Sequence, residues 1–197
     1  ASGDAPGCFS TIASNASGYV QAYSSSSYSN SGSISVRMYN AGTPSNTLLV
    51  SPHFSDLGSG ADKQVEFYAL TTTSTGEDLY LGTLSNPLDA SSFDTLAKYE
   101  LTTSHQYIKF YLTAANGYNG VDGYVGLMHG NRNSSYIHID DFVYDTVVSC
   151  PAPIPSSMLA SDLTDSSVVI SFSGAGSNTN YVYEYGPTGF TLGSGTV

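Results

Sequence analysis

Apolar residues recur at every second position in one segment after another of this chain, and that period of two restricts what it can fold into. Ile34, Val36 and Met38 line one face of a strand, as do Val65, Phe67 and Ala69, then Leu79 and Leu81, then Ile108, Phe110 and Leu112. Tyr99 with Leu101 and Val125 with Leu127 extend the pattern. Successive side chains of a strand point to opposite faces, so this alternation marks strands with one face buried, whereas an amphipathic helix would repeat about every 3.6 residues. No segment carries such a helical stripe. The expected fold is therefore all-β. Turn residues separate the strands at Asn40-Ala41-Gly42, Ser59-Gly60, Thr75-Gly76, Asn116-Gly117 and Asp122-Gly123, because Gly, Asn and Asp accept the backbone angles of tight reversals. A longer loop bounded by Asn86-Pro87 and Ser91-Ser92 has room for one helical turn. Strands at this spacing predict an antiparallel two-sheet sandwich or jelly roll.

A boundary falls at Cys150-Pro151-Ala152-Pro153-Ile154-Pro155. Three prolines so close cannot continue a central strand and read as a stiff, extended linker. The expected organisation is a jelly roll over residues 1–149, a linker over 150–156 and a second, partial β module over 157–197. In that module Val168, Ile170 and Phe172 alternate, and Tyr181 to Pro187 form a further strand and turn. Only 47 residues (197 minus 150) follow Cys150, about half of an immunoglobulin-like or fibronectin type III sandwich of about 100. Half a sandwich leaves sheet edges and a core face uncovered. The second module thus continues beyond this chain, packs on the first, or is completed by a partner.

Charge narrows the partners. Sixteen acidic residues face five basic ones, for a formal charge of -11. Nucleic acid needs Lys and Arg against its phosphates and is excluded on this ground; anionic membrane surfaces are disfavoured. Such a surface suits solubility and cation capture. The chain holds two cysteines, Cys8 and Cys150, and is rich in Ser, Thr, Gly and Tyr and poor in Lys. This reads as an exported protein with one disulfide, the alternative being two buried thiols in a cytosolic one. No apolar run approaches the roughly 18 residues of a membrane span, and no signal peptide opens the sequence, so the chain is taken as a mature or excised fragment.

The segment Tyr136-Ile137-His138-Ile139-Asp140-Asp141-Phe142-Val143-Tyr144 breaks its alternation on two adjacent aspartates. If Ile137, Ile139 and Val143 share the core face, Asp141 shares it too. A bare carboxylate there costs several kcal/mol or more, so Asp141 must accept several hydrogen bonds, shift its pKa, or bind a cation, unless a bulge turns it outward. The cation is the reading carried forward. Calcium takes six to eight oxygen ligands, and Asn116, Asn119 and Asp122 offer three more side chains in one loop, although Asn-Gly and Asp-Gly are equally the ordinary turn pairs. Asp140, of opposite parity, reads as solvated or bonded to nearby backbone, with a bulge exchanging the two roles.

Sixteen tyrosines can form a sugar-binding platform, because an aromatic face stacks on pyranose C–H groups while the hydroxyl hydrogen-bonds; Tyr also simply suits half-buried strands. Tyr118, Tyr124 and Tyr136 lie near expected loops at one end, and Tyr19, Tyr23 and Tyr28 near the other. No tryptophan is present. His53, His105, His129 and His138 lack zinc-motif spacing, there is no Gly-x-Ser-x-Gly elbow, and no motif pairs two carboxylates across a cleft. His138 reads as a surface residue, and the chain is expected to be no enzyme.

Pro6-Gly7-Cys8-Phe9, Asn46-Thr47-Leu48-Leu49-Val50-Ser51-Pro52, Leu81-Gly82-Thr83-Leu84-Ser85-Asn86-Pro87 and Tyr136-Ile137-His138-Ile139-Asp140-Asp141-Phe142 occur in that order. Their order and spacing resemble the MAM-like jelly-roll modules of secreted bacterial adhesins and enzymes, including the cleaved-adhesin type. The Cys-Pro-Ala-Pro linker, Tyr183-Glu184-Tyr185-Gly186-Pro187 and Gly189-Phe190 resemble the start of a following fibronectin type III module. The resemblance implies a jelly roll of about a dozen strands, a secreted or bacterial-surface location, often through type IX export, and in several members a structural calcium. It implies no catalysis. Relatives usually carry Trp where this chain has Phe9, and their first strand precedes the Pro-x-Cys segment. The function expected is a non-catalytic extracellular module for adhesion or carbohydrate binding, stabilised by a Cys8–Cys150 disulfide and calcium, with a glycan or surface protein as partner. Two alternatives stand beside it: a structural subunit of an extracellular fibre, self-assembled by strand completion between chains, and an accessory domain of a secreted hydrolase.

Overall fold

The computed structural model describes residues 7–13, 17–40, 46–58, 63–130, 135–147, 159–172, 185–187, 191 and 196. The chain divides into two compact units, Ala1–Val147 and Val148–Val197. The first contains β1 (Ser10–Ala13), β2 (Tyr19–Ser24), β3 (Ile34–Asn40), β4 (Thr47–Val50), β5 (Lys63–Thr71), β6 (Glu77–Leu84), β7 (Phe93–Leu101), β8 (Gln106–Leu112), β9 (Tyr124–His129) and β10 (Ser135–Thr146). Two single 3-10 turns, Ala90–Ser92 and Ala114–Asn116, are the only helical pieces among the described residues. The first lies within the long loop expected to carry one. Asp89 caps it by accepting the Ser91 N–H.

The strands form two five-stranded sheets, in the orders β1-β4-β9-β6-β7 and β2-β3-β10-β5-β8, and every pairing is antiparallel. The central sets β3-β10-β5-β8 and β4-β9-β6-β7 have the strand order of a jelly roll, with β1 and β2 added at the edges. The fold class is thus the all-β, antiparallel jelly-roll sandwich expected from the alternation. The alternating residues meet in one core, where Met38, Phe67, Leu79, Leu81, Leu101, Leu127, Ile137 and Ile139 are all less than 2% exposed. Each contributes about 1.5–3 kcal/mol by burial. A smaller cluster of Leu48, Val50 and Leu84 lies under Ile12, Phe93, Tyr124 and Met128. There Gly82 and Gly126 are register partners, and the Phe93 ring lies where either would carry a Cβ.

β10 corrects one sequence expectation. Its pairing with β5 slips by a residue between Asp140 and Val143, opposite Tyr68 and Glu66, and Asp141 has a φ of 52°. Asp tolerates this left-handed conformation better than most residues. One extra residue in a period-2 strand exchanges its faces. Ile137 and Ile139 therefore point inward, but Val143 is 47% exposed, while Phe142 and Tyr144 pack on the core instead. The Phe142 ring meets Phe9 edge-on at 5.8 Å, and Tyr144 stacks on Phe54 at 3.8 Å. Asp141 leaves the core face, the outcome of the bulge reading.

In the second unit, β11 (Leu159–Ser161) pairs antiparallel with β12 (Val169–Ser171), and Tyr185 exchanges two backbone hydrogen bonds with Thr196. The proline linker and Cys150 lie outside the described residues.

Candidate functional site

The outward residues of β2, β3 and β10 assemble a cluster that the alternation dictates: wherever Val20, Met38 and Ile137 face the core, their neighbours face away. One row across the sheet reads Tyr19, Tyr39, Tyr136, and the next reads Gln21, Arg37, His138. Tyr39 lies between its two partners, with ring centroids 5.1 Å from Tyr19 and 4.9 Å from Tyr136. Arg37 is the hub. Its guanidinium carbon lies 4.0 Å from the Tyr23 ring, 5.0 Å from Tyr136 and 5.7 Å from Tyr19, distances at which the ring quadrupole attracts a cation. With the Gln21 amide oxygen turned toward it, Arg37 also donates to Gln21 through both Nε, at 3.2 Å, and Nη2.

His138 is 2% exposed. It lies on the outward face as expected, but it is no surface residue: Tyr28 stacks on its ring at 4.6 Å, Tyr23 meets it at 5.3 Å, and its Nδ1 shares a 3.0 Å hydrogen bond with Ser35 Oγ. Burial, with the electrostatic effect of Arg37 adding to it, lowers its pKa to about 4. At neutral pH it therefore offers an uncharged imidazole. Tyr23, Tyr28, Arg37, Thr72, Tyr136 and His138 line a cleft of about 220 Å³.

Tyr28 reaches this cleft from the loop between β2 and β3, and the aspartate doublet holds that loop. Asp140 Oδ2 accepts the backbone N–H groups of Asn30 (2.7 Å) and Ser31 (3.1 Å), and its Oδ1 accepts from Asp141 N. Asp141 accepts from Asn30 Nδ2 at 2.9 Å and Ser31 Oγ at 2.5 Å. The hydrogen bonds from Ser31 and Asn30 hold the Asp141 carboxyl below the usual range. Ser29 Oγ ties the loop internally to the Ser25 and Gly32 carbonyls.

The other residues singled out in the sequence lie elsewhere. Asp122 is 3% exposed; it accepts from Thr83 Oγ1 at 2.7 Å and Asn119 Nδ2 at 3.0 Å. Asn119 Oδ1 in turn accepts the N–H groups of Val121 and Asp122, the bonding of a turn. Asn116 donates to the Tyr111 carbonyl. The five oxygen-bearing residues proposed for calcium are thus engaged in separate local networks, and no three His, Cys, Asp or Glu side chains gather as a metal group among the described residues. Two of these networks combine two carboxylates with an amide and a hydroxyl, donors of the kind a hard cation takes: Asp140 and Asp141 with Asn30 and Ser31, and Asp122 and Asp94 with Asn119 and Thr83. Tyr118 corrects the expected platform, being 7% exposed with its hydroxyl donating to the Asp122 carbonyl. Tyr124 belongs to the opposite sheet and packs against His53. Only Tyr136 of the three lies in the cleft, together with Tyr23 and Tyr28 from the group assigned to the other end. Cys8 is exposed with its thiol free, and its expected partner Cys150 is outside the described residues.

Arg37, Tyr39 and Thr72 were not singled out by sequence. The signal lay in parity, since Arg37 and Tyr39 flank the inward Met38 and share the opposite face.

No protein-family model and no curated protein matches the chain. Solved structures do. The K1 cleaved adhesin domain of Lys-gingipain from Porphyromonas gingivalis W83 superposes with a TM-score of 0.57 at 17% identity, covering 72% of this chain and 92% of that one. The K2 cleaved adhesin domain of Lys-gingipain gives 0.56 at 18% identity, covering 74% and 93%. The CBM22-1 xylan-binding domain of Paenibacillus barcinonensis Xyn10C gives 0.51 at 11% identity, covering 74% and 90%. The chain shares the β-sandwich fold of these adhesin and carbohydrate-binding domains.

Proposed function

We propose that this chain is a non-catalytic extracellular module that binds carbohydrate through the outer face of the β2-β3-β10 sheet and serves adhesion. The observation that carries this reading is the Arg37-centred cleft with its tyrosine rows. Flat aromatic faces bury little conformational entropy and stack on sugar C–H faces, while Arg37, Thr72 and the tyrosine hydroxyls supply directional hydrogen bonds. At about 220 Å³ the cleft is below the roughly 300 Å³ of pockets that enclose drug-sized ligands. It suits one sugar ring, with the rest of a glycan running over Tyr39 and Tyr19. The fold shared with adhesin and xylan-binding domains supports the reading, and the poverty in Lys supports secretion or display on a bacterial surface.

Two stabilising features belong to the same proposal. A Cys8–Cys150 disulfide ties the segment before β1 to the start of the proline linker, and calcium binds at Asp140 and Asp141, with Asn30 and Ser31 as neighbouring oxygen donors. The second unit is fibronectin type III-like. The xylan-binding relative in fold also supports the accessory-domain reading, in which the same face delivers a hydrolase to its polysaccharide. A glycan array followed by calorimetry tests the main proposal: binding is expected, and Tyr136→Ala and Tyr23→Ala are each expected to weaken it about tenfold or more. Binding that both variants leave intact refutes this site, and the absence of any glycan binding refutes the function. Calcium is tested by the melting temperature with calcium and with chelator, where equal values reject it.

A further inference from the structure

The charge inventory singles out Arg37. The chain has five basic residues. Lys63 pairs with Asp56 at 2.6 Å, Lys98 with Asp78 at 2.9 Å and Lys109 with Glu66 at 3.0 Å, and Arg132 lies outside the described residues. Arg37 has no carboxylate partner among the described residues. In a chain of formal charge -11, where anions outnumber cations, its neighbours are three tyrosine rings and a neutral amide. The guanidinium remains charged in any protein setting; Gln21 takes its Nε/Nη2 edge, and the Nη1/Nη2 edge is the planar fork of donors that matches carboxylate or sulfate oxygens.

We infer that the cleft selects an acidic sugar, a pyranose bearing a carboxylate or a sulfate ester whose anionic oxygens pair with Arg37 while the ring stacks on Tyr23, Tyr28 or Tyr136. This inference rests on the carbohydrate-binding reading and narrows it. Arg37 is half-buried, so an anion placed there meets a cation already partly stripped of water, and charge-assisted hydrogen bonds are the strong ones in such a setting. The aromatic rings hold the guanidinium in place before the ligand arrives, which lowers the ordering cost of binding.

The surrounding charges fit a single anion. His138 is neutral at pH 7 and adds no second positive group. The carboxylates of the same sheet face are already engaged: Asp140 accepts the loop N–H groups, and Glu66 accepts from Lys109 and from the Tyr107 hydroxyl. The overall negative charge opposes acidic glycans at long range, but screening at physiological salt confines that field to about 8 Å. Direct contact with Arg37 acts within that distance, and a charged hydrogen bond corresponds to about tenfold or more in affinity.

The test uses the full chain and two matched probe pairs: a glucuronate-containing oligosaccharide with its carboxyl-reduced form, and a sulfated oligosaccharide with its desulfated form. Calorimetry is expected to show at least tenfold preference for the acidic member of one pair, which also tells carboxylate from sulfate. In Arg37→Gln that ratio is expected to fall to about one, while Arg37→Lys keeps part of it. Independently of any variant, affinity for the acidic probe is expected to drop between 50 and 500 mM salt, on the order expected of one ion pair, more than for its neutral partner. Equal or tighter binding of both neutral probes, lost in Tyr136→Ala, overturns the acidic-sugar inference and leaves the carbohydrate-binding reading standing. No binding of these four probes or of any arrayed glycan overturns both.

Discussion

Two buried polar residues show how single side chains decide this molecule's behaviour. Asp122 is nearly inaccessible and satisfies Thr83 Oγ1 and Asn119 Nδ2 at once. Replacing it with Ala strands the buried Thr83 hydroxyl, while the exposed Asn119 amide keeps Asp94 as an acceptor, so Asp122→Ala is expected to cost about 1–3 kcal/mol, measured by urea unfolding, and Asp122→Asn about half as much. His138 couples the cleft to pH. Its folded-state pKa is about 4, below the roughly 6.5 of an unfolded histidine. Between those values the unfolded chain binds the proton and the folded one does not. The stability from a neutral His138 is therefore fully present above about pH 6.5 and is lost as pH falls toward 4, on the order of 3 kcal/mol in all. NMR titration of the His138 ring is expected to show no protonation down to about pH 5; a midpoint near 6.5 would mean that Tyr23 and Tyr28 do not seal it.

At the scale of elements, the one-residue bulge in β10 governs most. By exchanging the strand's faces it sends Phe142 and Tyr144 into the core and turns Asp141 toward the loop at 25–33. The doublet then acts on the site from a distance, because the loop it holds carries Tyr28 onto His138. Asp140→Ala is expected to lower stability by only about 1 kcal/mol, since the freed N–H groups of Asn30 and Ser31 are exposed and water replaces the carboxylate. Glycan affinity is expected to fall several-fold in the same variant through the loosened Tyr28 wall, read by calorimetry. Unchanged affinity would remove the loop from the site. On the proposed reading, Asp140 is a positioning residue.

At the scale of the molecule, the proposed Cys8–Cys150 bridge closes a loop of well over a hundred residues, worth about 4–5 kcal/mol on the chain-entropy account. For a domain of this size, reduction is expected to lower the melting temperature by roughly 10 °C; no change on adding reductant rejects the bridge. The alternation of Val36 and Met38, Val65 and Phe67, Ile108 and Leu112 by itself determined an all-β sandwich, because a period of two has only one way to bury a face. It likewise placed Arg37, Tyr39 and Tyr136 on faces opposite the core. Which of those faces became neighbours was decided by tertiary structure alone. Tyr19 and Arg37 share neighbouring strands of the sequence, but Tyr136 joins them through the β3–β10 pairing, between strands roughly a hundred residues apart, and no local pattern encodes such a register. Tyr118 shows the same limit from the other side, since its hydroxyl finds Asp122 four residues on and its ring turns into the core. The bulge at Asp141 was legible only as an option. An αL aspartate is preferred over a buried charge for a reason that the loop donors at Asn30 and Ser31 supply, and those donors are 109 to 111 residues away along the chain.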